Sequence, residues 1–344
     1  MLYQTENPHG GDLYGRVVSL DFSANTNPLG TPPAVMGAVV DAARLLNQYP
    51  DPYCRELVAA LAAFEGVPES YILCGCGAAE LIFSFCAAVK PRRALELAPT
   101  FSEYATALEA MGCGVDRYPL SEANGFVLTE AFLPFLDKGP WDAVFLCNPN
   151  NPTGQTIPPA LLEEILALCH RKRIRLFVDE CFLDLTDGGR DLSLKGRLAD
   201  HPELFLLKAF TKSYGMAGLR LGYAVVGNRD LLKEINAKKN PWTINSLAEI
   251  AGELIPTMIA CADYYLPFGH FPDKALDVLD LSCAYARDHA QDKVDETCVR
   301  EVIASLSQIP VDVEQRTRQT LEVLTQRCPD LPLRQLTKAL QELG

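Results

Sequence analysis

The sequence lacks the features that mark metal-binding, secreted, membrane-spanning or ATP-hydrolysing proteins. It has twelve cysteines but no Cys-x-x-Cys pair, so the spacing typical of zinc sites is missing. No apolar run approaches the roughly 20 residues that span a bilayer. The first residues lack the apolar segment of a secretion signal, and no Gly-x-x-x-x-Gly-Lys-Ser/Thr loop for nucleotide phosphates occurs. We therefore expect a cytoplasmic protein without a metal site, whose thiols are reduced and mostly buried.

Basic charge is also scarce. The 344 residues include 31 Lys and Arg against 44 Asp and Glu, a net charge of −13. Such a balance does not favour nucleic acid or an anionic membrane as a partner, although a small anion such as phosphate could bind where the local field is positive. The length of 344 residues is enough for one large domain with a smaller one, or for two medium domains. Hydrophobic residues make up 48% of the chain, which is enough to bury a sizeable core.

Short β-type runs alternate with helical patterns from about residue 70 to residue 230. This alternation predicts an α/β fold with a largely parallel sheet covered on both faces. Ligand sites in such sheets gather at the carboxyl ends of the strands. The predicted strands cover residues 71–74, 94–97, 115–118, 143–147, 175–178, 204–209 and 220–226.

The two ends of the chain have a different pattern. Residues 1–30 are polar and punctuated by Pro and Gly, which predicts an arm, and residues 31–255 would form the large domain. Residues 231–255 predict one helix that leaves the sheet domain. Residues 256–344 have helical periodicity and almost no strand signal, which predicts an all-helical C-terminal region.

Two charged side chains in the segment TKSYGMAGLRLGY could carry chemistry. Lys212 follows a predicted strand, and the pKa of a lysine falls when it is buried near cations, which favours an amine nucleophile. Arg220 would offer a fixed positive charge to a phosphate. The alternative is a surface lysine and an arginine in a solvated ion pair.

Asp179 and Asn151 each follow an apolar strand. The carboxylate of Asp179, in IRLFVDECF, either pairs with a protonated ring nitrogen or merely caps a helix. The loop NPNNPTG at residues 148–154 is fixed by its prolines and glycine, so that Asn151 could offer its amide to a ligand. The alternative there is an ordinary turn.

A glycine loop and two tyrosines complete the candidates. In CGCGAAELIFSF, the glycines open a helix whose free N–H groups at Gly77, Ala78 and Ala79 could bind a phosphate; a simple tight turn is the alternative. Tyr104 could stack on a flat aromatic ring or be a half-buried core residue. Tyr49, in QYPDPY, is a surface aromatic unless a partner covers it.

The order of these motifs resembles that of class I/II aminotransferases, which are fold type I pyridoxal-phosphate (PLP) enzymes. Within them the chain resembles the branch of histidinol-phosphate aminotransferase and threonine-phosphate decarboxylase. The resemblance runs from about residue 21 to residue 255, through SANTNPLG, YPDP, GCGAAELIF, PTFSEY, NPNNPTG, FVDECF and FTKSYGMAGLRLGY. It implies a mostly parallel seven-stranded sheet between helices, with PLP as the cofactor.

The resemblance also implies a role for each candidate around the cofactor ring. Lys212 would form the Schiff base with PLP and transfer protons. Asp179 would bind the pyridine nitrogen, Asn151 the ring oxygen, and Tyr104 would stack on the ring. Two positions depart from the pattern, because Ala209 and Phe182 stand where many relatives have hydroxyl groups. Each difference would cost about 1 kcal/mol of cofactor affinity.

For the remaining candidates, the resemblance implies contacts with the phosphate, the partner subunit and the substrate. Arg220 and the amides of residues 77–79 would bind the phosphate. Tyr49 would reach the phosphate in the neighbouring subunit of a homodimer, and Asn27 would lie near the substrate.

The C-terminal region departs most from the family. Relatives continue into a small α/β domain that binds the substrate carboxylate, whereas residues 270–311 resemble the helical end of an AAA module of Clp/Hsp100 ATPases. We therefore expect an aminotransferase-family enzyme for an α-amino acid or its phosphorylated derivative. A threonine-phosphate-type decarboxylase and a PLP-binding fusion protein without activity remain as alternatives, as does a tail that docks to Clp-type helices.

Overall fold

The computed structural model describes residues 10, 11, 13, 14, 23–27 and 30–254. From residue 24 onward these residues belong to one compact unit. The predicted helical region 256–344 and most of the predicted arm lie outside the described residues. No helix in the described part of the chain is long and apolar enough to cross a membrane.

The unit is a seven-stranded sheet with helices on both faces. The strands are β1 (Ile72–Cys76), β2 (Arg93–Ala98), β3 (Gly114–Pro119), β4 (Ala143–Cys147), β5 (Arg175–Asp179), β6 (Leu204–Ala209) and β7 (Leu221–Val225). Their order across the sheet is β1-β7-β6-β5-β4-β2-β3. Among these strands, β7 runs opposite to the other six, which all point the same way.

Eight α-helices surround this sheet in the described residues. They are α1 (Pro33–Ala42), α2 (Arg55–Glu65), α3 (Gly77–Val89), α4 (Glu103–Ala110), α5 (Phe132–Lys138), α6 (Pro159–Lys172), α7 (Arg229–Asn236) and α8 (Ser246–Glu253). Helices α3, α4 and α7 contribute to one hydrophobic core, and α2, α5, α6 and α8 contribute to the other.

The central strands are apolar throughout because helices cover both of their faces. Along β4, Val144 and Leu146 belong to one core, while Phe145 and Cys147 belong to the other. Strands β5 and β6 alternate in the same way. Phe145, Phe177 and Phe205 stack across three adjacent strands, with ring centroids 4.7 and 4.8 Å apart. This alternation fixes the register, since a shift by one residue would exchange the two cores.

The structure confirms the predicted α/β class and every predicted strand, to within two residues at each end. The single helix predicted for residues 231–255 is wrong. Two helices, α7 and α8, occupy this segment, and Pro241 lies between them, where it cannot continue a helix. The side chain of Asn245 caps α8 by accepting a hydrogen bond from Ala248 N at 2.9 Å. Ala248 and Ala251 are fully buried, so α8 belongs to the core instead of leaving it.

Candidate active site

Most of the predicted site residues collect at one edge of the sheet, and Tyr49 is the exception. Six strands, β1–β6, end at this edge, and β7 begins there because it runs the opposite way. Register pairs Cys76 with Leu221 at the β1–β7 end, and Cys147 with Asp179 at the β4–β5 end. Gly77, Asp179, Lys212 and Arg220 therefore all lie within or next to strand ends at the same edge.

The start of α3 forms a cradle for an anion together with Arg220. Gly77 has φ +74°, and a Cβ at this position would lie 2.6 Å from Nη2 of Arg220. Gly222 allows an equally close approach, since its Cβ would lie 2.7 Å from the nitrogen of Ala78. No side chain of the N-cap residue closes the helix end. Free N–H groups, a helix dipole and a guanidinium thus meet at one point, which suits a phosphate.

Asp179 offers a buried carboxylate at the end of β5. It is 5% exposed, its Oδ2 accepts a 2.6 Å hydrogen bond from Tyr104 Oη, and its Oδ1 accepts from Cys181 N at 2.9 Å. Burial raises the pKa of this carboxyl above its ordinary value, although the two hydrogen bonds oppose the rise. A cation placed against Asp179 would relieve the cost of burying its charge.

Lys212 combines a partly buried amine with a rigid backbone. Burial lowers its pKa from the ordinary value, and the positive charge of Arg220 lowers it further. The Nζ atom lies 5.9 Å from the ring centroid of Phe182. The carbonyl of Lys212 accepts hydrogen bonds from Asn27 N at 2.9 Å and Gly215 N at 3.2 Å. The amine is therefore poised to lose its proton more easily than a lysine in water.

Asn151 lies in the loop after β4, and two other asparagines of that loop, Asn148 and Asn150, fix its conformation by hydrogen bonds. Oδ1 of Asn148 accepts a hydrogen bond from Ile157 N at 2.9 Å. Asn150 donates to the carbonyl of Pro99 at 3.0 Å and accepts from Thr100 at 2.8 Å. Among the described residues, the side chain of Asn151 makes no hydrogen bond and is half-buried. Its amide is thus available to a ligand.

Tyr104 lies close to Asp179 and Asn27 lies close to Lys212, whereas Tyr49 contacts neither of these two residues. Tyr104 is fully buried and its hydroxyl lies on Asp179. The side-chain amide of Asn27 donates to the carbonyl of Ser213 at 3.0 Å, next to Lys212. Tyr49 is 83% exposed and its ring packs on Trp242, with centroids 5.1 Å apart. Within the described residues, no ring contact or hydrogen bond joins it to Lys212 or Asp179.

A buried ionic network next to the site was missed from the sequence. Lys208 Nζ lies 3.2 Å from Glu180 Oε2 and 3.4 Å from Glu65 Oε1. Tyr223 donates a 2.5 Å hydrogen bond to Glu65, and Lys195 lies 2.9 Å from the same carboxylate. Burial alone would lower the pKa of Lys208, but the two glutamates raise it well above the ordinary value.

This network connects the strand that precedes Lys212 with the residue that follows Asp179. The signal for it was Lys208, which interrupts the otherwise apolar strand LFLLKA. A lysine within a buried strand requires a partner, although the sequence does not say which carboxylate supplies it.

Two models of known protein families match the chain. A family model described as aminotransferase class I and II matches residues 18–255. A second, described as an AAA lid domain, matches residues 247–328, in agreement with the Clp-like resemblance of the C-terminal region.

Curated relatives and solved structures agree with the first match. A threonine-phosphate decarboxylase of Salmonella typhimurium is 41% identical over 68% of this chain and 64% of its own length. A histidinol-phosphate aminotransferase of Desulfitobacterium hafniense is 32% identical over 68% of this chain and 64% of its own. The matched region thus spans less than two thirds of these relatives.

Among solved structures, a histidinol-phosphate aminotransferase from Clostridium acetobutylicum has a TM-score of 0.67 at 27% identity, over 77% of each chain. An L-threonine-O-3-phosphate decarboxylase from Porphyromonas gingivalis has a TM-score of 0.62 at 25% identity, over 77% of this chain and 75% of its own.

Proposed function

The chain belongs to the class I and II aminotransferase family, and from this we propose that it is a PLP-dependent enzyme acting on an α-amino acid or its phosphorylated derivative. The observation that carries the proposal is the meeting of three groups at one sheet edge. These are a lysine whose pKa is lowered, a buried carboxylate, and an anion cradle formed by Gly77 and Arg220.

The three groups fit the three ends of PLP. The cradle would hold the phosphate, Asp179 would face the ring nitrogen, and Lys212 would face the aldehyde, while Asn151 offers its amide to the ring oxygen. When bound, PLP supplies an aldehyde for an amine and a ring that takes up the electrons of a broken Cα bond. Phe182 brings no hydroxyl to the site, so Asn151 would be the side chain that makes the polar contact with the ring oxygen.

Each of the two central residues has a task set by its surroundings. Asp179 is kept from water by burial and oriented by Tyr104, so its charge is available to stabilise a proton on the ring nitrogen. Lys212 is partly buried and burial lowers its pKa from the ordinary value, so Nζ releases a proton more readily than the amine of an exposed lysine and can take one back. Removal of the Asp179 charge should therefore affect the reaction more than the fold.

Decarboxylation is a second candidate for the reaction. The decarboxylase relative is 41% identical to the chain, compared with 32% for the aminotransferase relative. Both reactions would use the same cofactor-binding residues, and they differ in which bond to Cα is broken. This orientation is set by substrate contacts, so a product assay is needed to distinguish the two.

We also assign a homodimer in the cytoplasm to the proposed enzyme. Support for the dimer is Tyr49, whose ring is 83% exposed although it is aromatic, as expected for a side chain that a second subunit covers. Support for the compartment is that the eight cysteines in the described residues are free thiols. Light scattering of the purified chain tests the dimer.

The proposed function is tested by absorbance and product analysis. Full-length protein incubated with PLP should gain a near-visible absorption band that is absent in Lys212→Ala. With O-phosphothreonine, release of CO₂ and a primary amine would identify a decarboxylase. Consumption of histidinol phosphate with 2-oxoglutarate and formation of glutamate would identify an aminotransferase. A PLP band without any product would identify the inactive, cofactor-binding alternative.

Asp179→Asn tests the assignment of the carboxylate. Loss of one partner of a buried charge pair costs about 2–5 kcal/mol, so we expect turnover to fall by a factor of about 30 or more. Asp200→Asn is a matched control, since Asp200 is exposed on a loop. Equal turnover in the two variants would contradict a role for Asp179.

A further inference from the structure

Two histidines and a glutamate form a cluster that the proposed reaction does not use. His170 Nδ1 lies 3.1 Å from both carboxylate oxygens of Glu203. His201 Nδ1 lies 3.0 Å from Oε1 of the same carboxylate. The two imidazole rings contact each other edge to face, with centroids 5.0 Å apart. One ligand atom from each of the three residues lies within 4.8 Å of the other two.

The cluster lies at the opposite edge of the sheet from Lys212. His170 belongs to the last turn of α6, which leads into β5. His201 and Glu203 come directly before β6. Because β5 and β6 are parallel, their amino ends share an edge, and Asp179 and Lys212 lie at the other one. A ligand here would join α6 to the segment before β6 and would not reach the reacting groups.

The distances match those between ligands of one small cation. Zinc binds histidine nitrogen and carboxylate oxygen at about 2.0–2.2 Å, which at tetrahedral angles separates neighbouring ligand atoms by about 3.3–3.6 Å. The observed nitrogen–oxygen separations of 3.0 and 3.1 Å are close to the lower end of this range. Each imidazole nitrogen therefore lies at a ligand-like distance from the Glu203 carboxylate, and a cation would replace the protons that the imidazoles now share with Glu203.

Exposure differs among the three side chains in a way that suits a metal site. The Glu203 side chain is 7% exposed and that of His201 is 19% exposed, whereas that of His170 is 49% exposed. The buried carboxylate is thereby fixed, and the site opens to solvent on the side of His170. A cation could enter there, and water could complete its coordination shell. One carboxylate and two neutral imidazoles also leave only a single positive charge on a bound divalent cation.

We propose that His170, His201 and Glu203 form a structural binding site for a zinc-class divalent cation. Imidazole ligands favour Zn²⁺ and similar ions, whereas Mg²⁺ prefers oxygen ligands alone. The sequence predicted no metal site because it contains no Cys-x-x-Cys pair and because His170 and His201 are 31 positions apart along the chain. Only the packing of α6 beside the start of β6 brings the ligands together.

The test is Zn²⁺ binding by tag-free, full-length protein after treatment with a chelator. By calorimetric titration, the wild type should bind one more Zn²⁺ ion per chain than His170→Gln or His201→Gln. Affinity at this site should fall by at least tenfold, since even partners of metal ligands contribute about 10- to 100-fold. Arg171→Gln is the matched control, because Arg171 is exposed on the same helical turn and the variant should still bind this ion. Mg²⁺ should not compete.

A second measurement, thermal unfolding, tests the proposal even if a variant binds Zn²⁺ at another place in the chain. Zn²⁺ should raise the Tm of the wild type and of Arg171→Gln, because binding to the folded state alone stabilises it. The same rise should be missing in His170→Gln, whose side chain is too exposed to be needed for folding. An unchanged stoichiometry and an unchanged Tm response in both histidine variants would overturn the proposal and leave an ordinary hydrogen-bonded cluster.

Discussion

The hydroxyl of Tyr104 donates a 2.6 Å hydrogen bond to Oδ2 of Asp179, and both side chains are buried. The contact joins α4 to the end of β5, two elements that are 75 residues apart in the chain. It fixes one carboxylate oxygen while Cys181 N fixes the other. Orientation of Asp179 is therefore a property of the folded protein before any ligand binds.

Tyr104→Phe should destabilise the protein by removing this donor. A buried acceptor left without its partner costs about 1–3 kcal/mol, which urea unfolding would measure as a lower midpoint. Tyr118→Phe is the control, because Tyr118 packs on Phe132 and its hydroxyl makes no hydrogen bond within the described residues. Equal midpoints for the two variants would show that the Tyr104 hydroxyl contributes nothing.

Gly77→Ala should weaken PLP binding. The left-handed φ of +74° costs a residue with a Cβ about 1–2 kcal/mol, and that Cβ would push the Arg220 guanidinium out of the cradle. Gly66→Ala separates the two effects, since Gly66 has φ +68° but no atom within 4 Å of the added Cβ. Both variants should lose stability, whereas only Gly77→Ala should raise the Kd for PLP. Equal Kd values would remove Gly77 from the phosphate site.

Lys208→Met should be strongly destabilising because it leaves Glu65 and Glu180 buried without their cation. Breaking a buried pair in this way costs about 3–5 kcal/mol. Lys233→Met is the control, since the side chain of Lys233 is 77% exposed, and its change should stay within about 0.5 kcal/mol. Guanidinium unfolding measures both. A cost for Lys208→Met as small as that of the control would mean that the network does not stabilise the fold.

The cost of Lys208→Met should also depend on pH. Burial raises the pKa of Glu65, but Lys208 and its other partners hold it below the ordinary 4.5. This contribution is present above pH 4.5 and is lost as the pH falls through the lowered pKa. The pKa of Lys208 is raised from 10.5, so its contribution is present below that pH and is lost only in stronger alkali. We expect the cost to be largest between these limits and to shrink in acid.

The reaction of Lys212 with PLP should reach its full rate at lower pH than for an ordinary lysine. Only the neutral amine attacks an aldehyde, and burial lowers the pKa of Lys212 from 10.5. Stopped-flow measurement of PLP binding across pH should therefore give a midpoint below 10.5. A midpoint at or above that value would mean that the amine is not desolvated in the folded protein.

The apolar patterns of the sequence predicted the strands of the sheet well, but they did not predict the buried ionic network around Lys208. Leu204–Ala209 and Ala143–Cys147 were predicted with their observed ends, because buried strands are continuous apolar runs bounded by polar residues. Asp179 and Lys212 were predicted as site residues because such strands carry functional groups at their carboxyl ends, and the structure places both at that edge of the sheet. The partners of Lys208 were not predictable, since Glu65 is 143 residues away and nothing local links them.

The break between α7 and α8 had a local signal that the periodicity concealed. Apolar spacing continues through residues 231–255, yet the segment contains Asn240-Pro241 followed by the capping residue Asn245. Proline removes a helical donor and restricts the residue before it. Giving these residues more weight than the periodicity would have divided the predicted helix correctly.

The most direct test of the proposed enzyme is borohydride reduction of the PLP-treated protein, followed by proteolysis and mass spectrometry. We expect a pyridoxyl group on Lys212 and none on Lys208, four residues earlier, whose amine is held protonated between Glu65 and Glu180. Modification of Lys208 or of a surface lysine, with Lys212 unmodified, would contradict the assignment of the cofactor site.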